Sequence, residues 1–408
     1  MINDFDVVII GAGPAGCITA LHLAHSGLKI AVIDKSVFPR DKICACGITW
    51  KAQRALKALP DDIYNDFFKL KALKESWGVK IYSSNSKSII ANFKNPCSEN
   101  TRPFLYISQR KVFDNVLFKS LSKYKNIKTF EGFRVNDIFR DKNKIIVKTK
   151  DKNFYSNFVV GADGTNSVVS KKLAGFNNSK TPLCAVRAFY ENISGIHADN
   201  YIEIFFIKKY LPAYFWIFPY SKTEANVGMA LLTDRIVNKK CNLIKIFLKI
   251  IESHPLISPR FKNAKIKGSV QGFGLPLFIK KRNISGERFL LTGDAASLVD
   301  PLTGEGIGNA MYSGQIAAKH IIECFDKNDF SSNFMKNYND IIYADLLKKF
   351  KISNVLKTYI KYPWIINLFV KKLNKYKEQG QEDVKIYKDE KFFIELENPL
   401  NFLKFLIK

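Results

Sequence analysis

The sequence predicts an α/β protein, α+β overall, that combines a parallel sheet flanked by helices with an inserted antiparallel sheet. Residues 6–10 and 28–33 are short runs rich in Val and Ile, typical of buried parallel strands, and a helical segment separates them. Residues 185–232 alternate aromatic and polar residues in several runs, as antiparallel strands do. Residues 289–292 form another apolar run, and a helical pattern follows from residue 306. One α/β domain is therefore interrupted by a β-rich segment.

The other elements follow from the spacing of apolar residues. This spacing predicts helices over residues 17–26, 111–123 and 242–251, and strands over residues 144–149, 153–160 and 266–278. A chain of 408 residues is too long for one ordinary core. We therefore predict a discontinuous α/β domain (1–75, 106–180 and 282–325), a β-rich domain (76–105 and 181–281) and a helical, basic C-terminal region (326–408).

The chain is strongly basic, with a formal net charge of +27 from 64 Lys and Arg against 37 Asp and Glu residues. Such a surface attracts phosphates, nucleic acid or anionic lipid. The lysines are spread along the chain without an RNP or zinc-finger motif, so we expect no nucleic-acid partner. An anionic substrate or a membrane surface explains the positive charge better than a nucleic-acid partner does. A generally basic surface without any such partner explains it equally well.

Cysteine usage and the first residues indicate a reducing compartment. The seven cysteines are odd in number and scattered, which argues against a disulfide framework. Asp4 and Asp6 lead directly into a predicted strand, unlike a signal peptide. The sequence has no run of about 18 apolar residues, the length that predicts a membrane span. We expect a cytoplasmic protein that can lie at a membrane surface, and its oligomeric state is unknown.

A glycine-rich loop follows the first predicted strand. Gly11, Gly13 and Gly16 form G-x-G-x-x-G between a strand and a helix. In this motif the first glycine permits a tight turn, the second lets the backbone approach a pyrophosphate, and the third lets helix and strand pack closely. The helix N-terminus then offers N–H groups and a partial positive charge to the phosphate. Ala15, inside this loop, belongs to the same expected binding site.

An acidic residue completes the dinucleotide-binding pattern. Asp34 ends the second predicted strand, 18 positions after Gly16, where a carboxylate can accept hydrogen bonds from ribose hydroxyls. The adjacent Lys35 is expected at the same site. Strand, helix, strand and acid in register make a Rossmann-type domain the expectation, although this unit alone does not distinguish NAD from FAD.

Two further glycine-containing segments follow predicted strands: Gly161-Ala-Asp163-Gly-Thr-Asn-Ser167 and Gly293-Asp294-Ala-Ala-Ser-Leu-Val-Asp-Pro-Leu-Thr-Gly304-Glu-Gly306. With the first glycine loop, they make the chain resemble the flavoprotein superfamily of aromatic-ring hydroxylases, flavin-dependent halogenases and geranylgeranyl reductases. In that superfamily the three segments occur in this order and bind one FAD. The resemblance therefore implies FAD as the cofactor and Asp163 as one of its neighbours.

The resemblance assigns further cofactor-binding positions. Gly293 and Asp294 end a strand, and the Asp294 carboxylate is expected to contact the ribityl or ribose part of FAD, or to cap a helix. Gly304 and Gly306 permit close backbone approach, and the helix from Ile307 would direct its N-terminus at the pyrimidine edge of the flavin. Two arginines are also implied, each with a solvated surface position as the alternative: Arg110 and Arg40.

Two segments resemble the geranylgeranyl reductases in particular. Residues 38–47 match F-P-R-x-K followed by a cysteine, although Ala45 and Cys46 replace residues that are usually glycine; Cys46 and Gly47 are expected near FAD. Residues 212–219 match the family's Y-x-W-x-F-P segment. The resemblance, which covers about residues 1–320, implies reduction of carbon–carbon double bonds in an isoprenoid or related apolar substrate by hydride transfer. NAD(P)H or another reduced carrier would supply the electrons, and the sequence has no second dinucleotide fingerprint for its stable binding.

Three residues are the catalytic candidates. A thiol near the flavin can donate a proton or shape the site, which makes Cys44 the leading candidate; the alternative is an inert buried thiol. Tyr214 and Trp216 project from the same face of a predicted strand and can line an apolar cavity, or simply fill the sheet core. The cysteine spacing is neither C-x-x-C nor that of a zinc site, so no metal is expected.

The sequence also allows two other functions. The halogenases' W-x-W-x-I-P motif is half matched at residues 214–219, so an aromatic hydroxylase or halogenase is one alternative. A basic, non-enzymatic nucleotide-binding protein is the other. Residues 362–371 could form an amphipathic helix on a membrane surface that delivers a lipid substrate, or a helix packed on the cofactor domain.

Overall fold

The computed structural model describes residues 4–69, 73–93, 103–176, 181–238 and 240–378, and confirms the predicted fold class. The strands, in chain order, are β1 Asp4–Ile10, β2 Ile30–Asp34, β3 Gly47–Ile48, β4 Lys74–Ser76, β5 Gly78–Tyr82, β6 Ser88–Asn92, β7 Leu105–Ile107, β8 Ile127–Glu131, β9 Val135–Asp141, β10 Lys144–Thr149, β11 Asn153–Gly161, β12 Leu183–Glu191, β13 Ile202–Phe205, β14 Phe215–Pro219, β15 Ala225–Leu232, β16 Lys265–Leu275, β17 Ser285–Gly286 and β18 Phe289–Leu291. The α-helices are α1 Pro14–Leu23, α2 Trp50–Lys57, α3 Asp61–Lys69, α4 Arg110–Ser120, α5 Val168–Leu173, α6 Thr233–Asn238, α7 Leu243–Ser253, α8 Ile307–Asp326, α9 Ser332–Ile360 and α10 Pro363–Glu378.

The first sheet is the Rossmann-type sheet that the sequence predicts. Its parallel strands lie in the order β8-β2-β1-β11-β18, so the first strand of the chain lies in the middle and the order reverses beside it. Ligands of open α/β sheets bind at such a reversal, outside the carboxyl ends of the strands. The glycine loop follows β1 and Asp163 follows β11, so the order of the strands brings these two segments together.

The second sheet is largely antiparallel, in the order β16-β12-β15-β14-β13-β5-β6, with β13 and β5 parallel. It gathers strands from both segments assigned to the β-rich domain, although the domain boundaries themselves stay a prediction. Strands β3, β7 and β4 form a third, small sheet, in the order β3-β7-β4. The inner faces of β12, β14 and β15 form an apolar core with helix α7.

The first helix starts earlier than its spacing predicts. The prediction placed it at residues 17–26, whereas α1 spans Pro14–Leu23. Pro14 suits the first helical position because its missing N–H has no intrahelical partner there and its φ is already helical. The glycine loop therefore passes directly into the helix, with Gly13 as the N-cap.

The described part of the C-terminal region is helical, as predicted, and residues 379–408 lie outside the described residues. The apolar side of α10 packs on the hairpin of β5 and β6, where Ile89 contacts Val370 and Leu373. The sequence left open that this helix packs on the cofactor domain. That packing partner is wrong, because the apolar side of α10 faces the second sheet. None of the helices in the described ranges is both long enough and apolar enough to cross a bilayer.

Candidate cofactor and active site

The glycine loop after β1 is shaped by two close backbone approaches. Gly11 has a φ of +101°, and a Cβ there would lie 2.3 Å from the Ala162 carbonyl oxygen. A Cβ on Gly16 would lie 1.9 Å from the carbonyl oxygen of Gly11. Both positions therefore require glycine, and the first glycine loop lies directly against the segment that contains Asp163.

Two helices that begin after a glycine N-cap pack against each other beside this sheet. Gly13 precedes α1 and Gly306 precedes α8, and no side chain among the described residues caps either helix. The helices are tightly packed, since a Cβ on Gly314 of α8 would lie 2.6 Å from the carbonyl oxygen of Ala15. The first N–H groups and the dipole of each helix can each stabilise a phosphate or another anionic group.

Asp34 fastens the glycine loop to the end of β2. Its buried carboxylate accepts the N–H of Ala12 at 2.8 Å and the N–H of Ser36 at 2.8 Å, one on each oxygen. The second lone pair of each oxygen remains geometrically suited to a ribose hydroxyl. Lys35, the next residue, is exposed and follows the strand on its solvent side.

Asp163 holds the helix that follows β11. Its carboxylate accepts hydrogen bonds from the Ser167 hydroxyl at 2.5 Å and from the N–H of Val168 at 2.6 Å. Burial raises the pKa of Asp163, and these hydrogen bonds act against that rise. The side chain thus acts as a cap for α5, and a direct contact to a cofactor stays a prediction.

Arg40 and Arg110 share one buried carboxylate, that of Asp114. Arg110 donates to both of its oxygens at 2.6 Å, and Arg40 donates to one at 2.7 Å. Burial opposes ionisation of Asp114, but the two guanidinium groups outweigh it and the pKa of this carboxyl is lowered. Arg40 also reaches the glycine loop, since a Cβ on Gly13 would lie 3.7 Å from its Nη2 atom.

Asp294 pairs with a lysine from the segment that carries the reductase-like motif. Lys42 Nζ lies 3.0 Å from one Asp294 oxygen, and a Cβ on Gly306 would lie 3.5 Å from the other. Gly293, with a φ of +54°, donates its N–H to Ser313 of α8 at 3.0 Å. Residues 293–306, the last of the three glycine-containing segments, are thereby joined both to α8 and to residues 38–47.

Cys44 and Cys46 form a compact turn between Lys42 and β3. Cys46 has a φ of +72°, and its N–H donates to Cys44 Sγ at 3.3 Å. A hydrogen bond from the Cys46 thiol is the main cause that lowers the pKa of Cys44, with help from Arg110 and Lys42 and against the effect of burial. The same hydrogen bond, together with burial, raises the pKa of Cys46. Cys44 is partly exposed and Cys46 is buried.

The aromatic pair of the second sheet faces this cysteine turn. Tyr214, immediately before β14, and Trp216 lie 6.2 Å apart between ring centroids. Trp216 Nε1 donates to Asn226 Oδ1 at 3.1 Å, and Asn226 Nδ2 donates to the carbonyl oxygen of Cys44 at 2.8 Å. Tyr214 donates its hydroxyl proton to the carbonyl oxygen of Thr303 at 2.5 Å. Both rings belong to an apolar cluster of the second sheet that also includes Ala45 of the cysteine turn.

The structure thus links almost all of the predicted site residues into one region. Ala15 lies against Gly293, Ile307 is the buried first residue of α8, and Gly304 lies beside the Tyr214 hydroxyl. Gly47 begins β3, next to Phe218 of β14. Lys35 is exposed just after the end of β2.

Sequence reasoning missed four residues that hold this region together: Lys42, Asp114, Asn226 and Glu305. Lys42 stands in the F-P-R-x-K motif, so the sequence already marked its segment. Asp114 stands four positions after Arg110, a helical spacing that predicts an ion pair. No such signal marked Asn226, because the pairing of β15 with β14 sets its position. Partly buried Glu305 accepts a hydrogen bond from Thr49, and removal from solvent raises the pKa of Glu305.

The residues present fit FAD. The N-terminus of α1 and Arg40 provide donors and positive charge for a pyrophosphate, the N-terminus of α8 provides them for an anionic edge of the flavin, and Asp34 provides an acceptor for a ribose. Gly13 has no closer neighbour than Arg40 within 4 Å of the position where its Cβ would be, so a ligand can approach its backbone.

Comparisons with known proteins agree with this geometry. Residues 4–328 match the family described as FAD binding domain. The chain is 31% identical over 346 residues to a digeranylgeranylglycerophospholipid reductase of Methanosarcina acetivorans, covering 81% of this chain and 78% of the relative. A solved geranylgeranyl bacteriochlorophyll reductase-like protein of Thermoplasma acidophilum shares the fold, with a TM-score of 0.75, 22% identity and 91% of each chain covered. A flavin-dependent brominase gives a TM-score of 0.72 at 19% identity, covering 99% of this chain and 94% of the brominase.

Proposed function

The chain belongs to the FAD-binding family of oxidoreductases that includes the digeranylgeranylglycerophospholipid reductases, and we propose that it reduces carbon–carbon double bonds of an isoprenoid lipid. One observation carries this proposal. The apolar, aromatic face of the second sheet, with Tyr214 and Trp216, is joined through Asn226 to the cysteine turn beside the cofactor region. An apolar chain held on that face would lie next to the cofactor.

The chain's own residues would hold FAD at the carboxyl edge of the first sheet. The N-terminus of α1 and Arg40 would bind the pyrophosphate, Asp34 would accept from a ribose, and Asp294 would contact the ribityl or ribose region. When bound and reduced, FAD supplies a hydride to an alkene carbon, and the chemistry is that of the cofactor. The N-terminus of α8 would stabilise negative charge at the nearby edge of the flavin.

The protein's part in the reduction is to exclude water, orient the alkene and supply a proton. Hydride addition to an alkene needs one proton at the second carbon. Cys44 and Cys46 share a hydrogen bond in which Cys46 keeps its proton, and Cys44 is the partly exposed member. We therefore propose that the Cys46 thiol is the source of this proton and that it passes through the sulfur of Cys44, the member of the pair that favours the thiolate. Tyr214 and Trp216 would pack against the isoprenoid chain.

The test is anaerobic incubation of the reduced flavoprotein with a panel of polyprenyl lipids. Mass spectrometry should detect products heavier by two hydrogen atoms, and absorbance should show flavin reoxidation at a matching rate. Trp216→Ala should lower the rate, whereas Trp77→Ala, at a partly exposed position of the chain, should not. Hydroxylated or halogenated products on admission of oxygen, without alkene reduction, would contradict the proposal and favour a monooxygenase or a halogenase.

The electron donor is proposed to be NAD(P)H or another reduced carrier that binds transiently. The glycine loop would already be occupied by FAD, so a nicotinamide cofactor would dock from outside and leave after transfer. Anaerobic mixing of the oxidised protein with NADH, NADPH or a reduced one-electron carrier should bleach the flavin with one of them. If none reduces the flavin, this part of the proposal is wrong.

We also propose that the protein works in the cytoplasm at a membrane surface, where a lipid substrate is found. Tyr362 and Trp364 are 48% and 55% exposed at the start of α10, next to lysines on a chain of net charge +27. Trp and Tyr are favoured at membrane interfaces, and lysines are attracted to anionic headgroups. Because the opposite side of α10 is packed on β6, contact would involve these two rings and not the whole helix.

An apolar groove near α9 supports the same proposal. It has a volume of about 590 Å³, and its lining combines apolar and lysine side chains: Phe278, Ile279, Leu347, Ile352, Val355, Lys280, Lys281 and Lys351. Such a lining suits the apolar chain and anionic headgroup of a lipid. Ser353, between lining residues of α9, donates to Asp300 at 2.7 Å, which connects the groove to the loop that contains Thr303.

Sedimentation with vesicles tests the membrane contact. The full chain should bind vesicles that contain anionic lipid more strongly than neutral vesicles, and high salt should weaken the binding. The double change Tyr362→Ala and Trp364→Ala should reduce it several-fold, whereas Val237→Ala, at a still more exposed apolar residue, should not. Equal binding by all three proteins would remove the proposed contact.

A further inference from the structure

The cysteine turn has the geometry of a pair that can be bridged. Cα atoms two residues apart are separated by about 7 Å at most, because each step along the chain is about 3.8 Å. The left-handed φ of Cys46 curls the chain, which brings Cys46 Sγ within 3.3 Å of the Cys44 carbonyl oxygen and Cys46 N within 3.3 Å of Cys44 Sγ. A disulfide needs Cα atoms about 4.4–6.8 Å apart, so local side-chain rotation can bring the sulfurs together.

The two thiols also differ in the way that an attacking and a resolving cysteine differ. Cys44 is partly exposed, and Lys42 and Arg110 lie near enough to favour its thiolate, which is the nucleophilic form. Cys46 is 1% exposed and keeps its proton behind Cys44. A reagent would therefore meet Cys44 first and leave Cys46 to complete the reaction.

We propose that Cys44 and Cys46 form a redox-active dithiol that a hydroperoxide oxidises to an intramolecular disulfide. In the first step the Cys44 thiolate attacks the O–O bond; an S–O bond forms, the O–O bond breaks, and the departing oxygen takes a proton. In the second step Cys46 sulfur attacks Cys44 sulfur; the S–S bond forms, the S–O bond breaks, and water leaves. The two thiols lose two electrons, and the hydroperoxide gains them.

Oxidation of the two cysteines would also change the hydrogen bonds that connect them to the aromatic face. The Cys44 carbonyl oxygen accepts from Asn226, which in turn accepts from Trp216. When Cys46 Sγ turns toward the other sulfur it leaves that same carbonyl, so the bridge alters the anchor of Asn226. Disulfide formation would thus modify the surface proposed for the lipid. The chemistry of the bridge itself does not depend on the proposed reductase activity, and the test below uses no lipid.

A single tryptic peptide reports the bridge. Cleavage after Lys42 and Lys51 releases residues 43–51, which carry both cysteines. The FAD-loaded protein is treated with hydrogen peroxide, unfolded in N-ethylmaleimide and digested without reductant. The peptide should be two hydrogens lighter than the dithiol and carry no maleimide, and dithiothreitol before alkylation should restore two maleimides. A peptide that stays doubly alkylated, overoxidises without a bridge, or bonds to another cysteine would overturn the proposal.

Variants separate the two roles. Cys46→Gly removes the second thiol at a φ that glycine accepts, so it should fold and let dimedone trap sulfenic acid at Cys44. Cys44→Ser should leave Cys46 unmodified by peroxide at the dose that bridges the parent. The matched control Cys184→Ser, at another partly exposed cysteine, should form the bridge as the parent does. Dimedone labelling of Cys46 instead of Cys44 would reverse the assignment and refute it.

Discussion

Replacing Asp114 by Asn should destabilise the protein strongly, because it leaves the buried guanidinium group of Arg110 and the partly buried one of Arg40 without their counter-charge. The side chain is fully buried and accepts two hydrogen bonds from Arg110 at 2.6 Å and one from Arg40 at 2.7 Å. Removing one partner of a buried ion pair costs about 3–5 kcal/mol. Domains are stable by about 5–15 kcal/mol, so this loss is a large fraction of the total.

Equilibrium unfolding in guanidinium chloride measures this loss for the FAD-loaded protein. The matched control is Asp66→Asn, because Asp66 pairs with Lys123 at 3.2 Å but both side chains are exposed. Exposed pairs contribute about 0–1 kcal/mol, so the control should unfold close to the parent. If Asp114→Asn stays within about 1 kcal/mol of the parent, the ion pair does not stabilise the fold as a buried pair should.

Acid should abolish the difference between parent and variant. The pKa of Asp114 is lowered in the folded protein by Arg110 and Arg40, although burial acts in the opposite direction. A lowered folded pKa gives stability that is fully present above the unfolded pKa, about 3.9, and is lost as pH falls through the folded pKa. The gap in unfolding free energy should be constant from pH 5 to 7 and shrink below about pH 4. A gap that widens in acid would contradict this assignment.

Four further outcomes follow from the site. Gly16→Ala should fail to give stable folded protein, since its Cβ would lie 1.9 Å from the carbonyl oxygen of Gly11. Gly13→Ala should fold but bind FAD at least tenfold more weakly, as measured by flavin fluorescence titration. Unchanged binding by Gly13→Ala would refute the role of this glycine at the pyrophosphate. Tyr214→Phe loses one hydrogen bond and should cost about 1 kcal/mol in denaturant unfolding, with no loss if the bond to the loop is unimportant. Because the pKa of Cys44 is lowered, iodoacetamide should alkylate it below pH 7, where an ordinary thiol reacts slowly; a rate that rises only near pH 9 would contradict the shift.

The sequence predicted the elements that local rules encode. The glycine loop and Asp34 lie in one continuous β1-α1-β2 unit, so strand, turn and helix signals are all close together along the chain. The strands and helices around it were found because their apolar spacing has the period of each structure. Errors at element ends, such as the start of α1 at Pro14, arise because capping and not hydrophobic spacing sets the first turn.

The partners of the site residues could not be predicted in this way. Lys42 and Asp294 lie 252 positions apart, and Asn226 and Cys44 lie 182 apart, so their contacts depend on how the two sheets meet. The sequence marked Arg110 but did not indicate that it would share one buried carboxylate with Arg40 from another segment.

The sequence by itself determined the cofactor-binding unit, because a pyrophosphate loop needs glycines, a helix start and an acid at fixed local spacing. Tertiary structure decided what surrounds that unit. It placed the Cys44 turn against Asn226 and Trp216, and it packed α10 on the β5–β6 hairpin while leaving Trp364 exposed. The physical reason is that local geometry is encoded by neighbouring residues, whereas burial, counter-charges and thiol reactivity depend on segments that meet only in the folded chain.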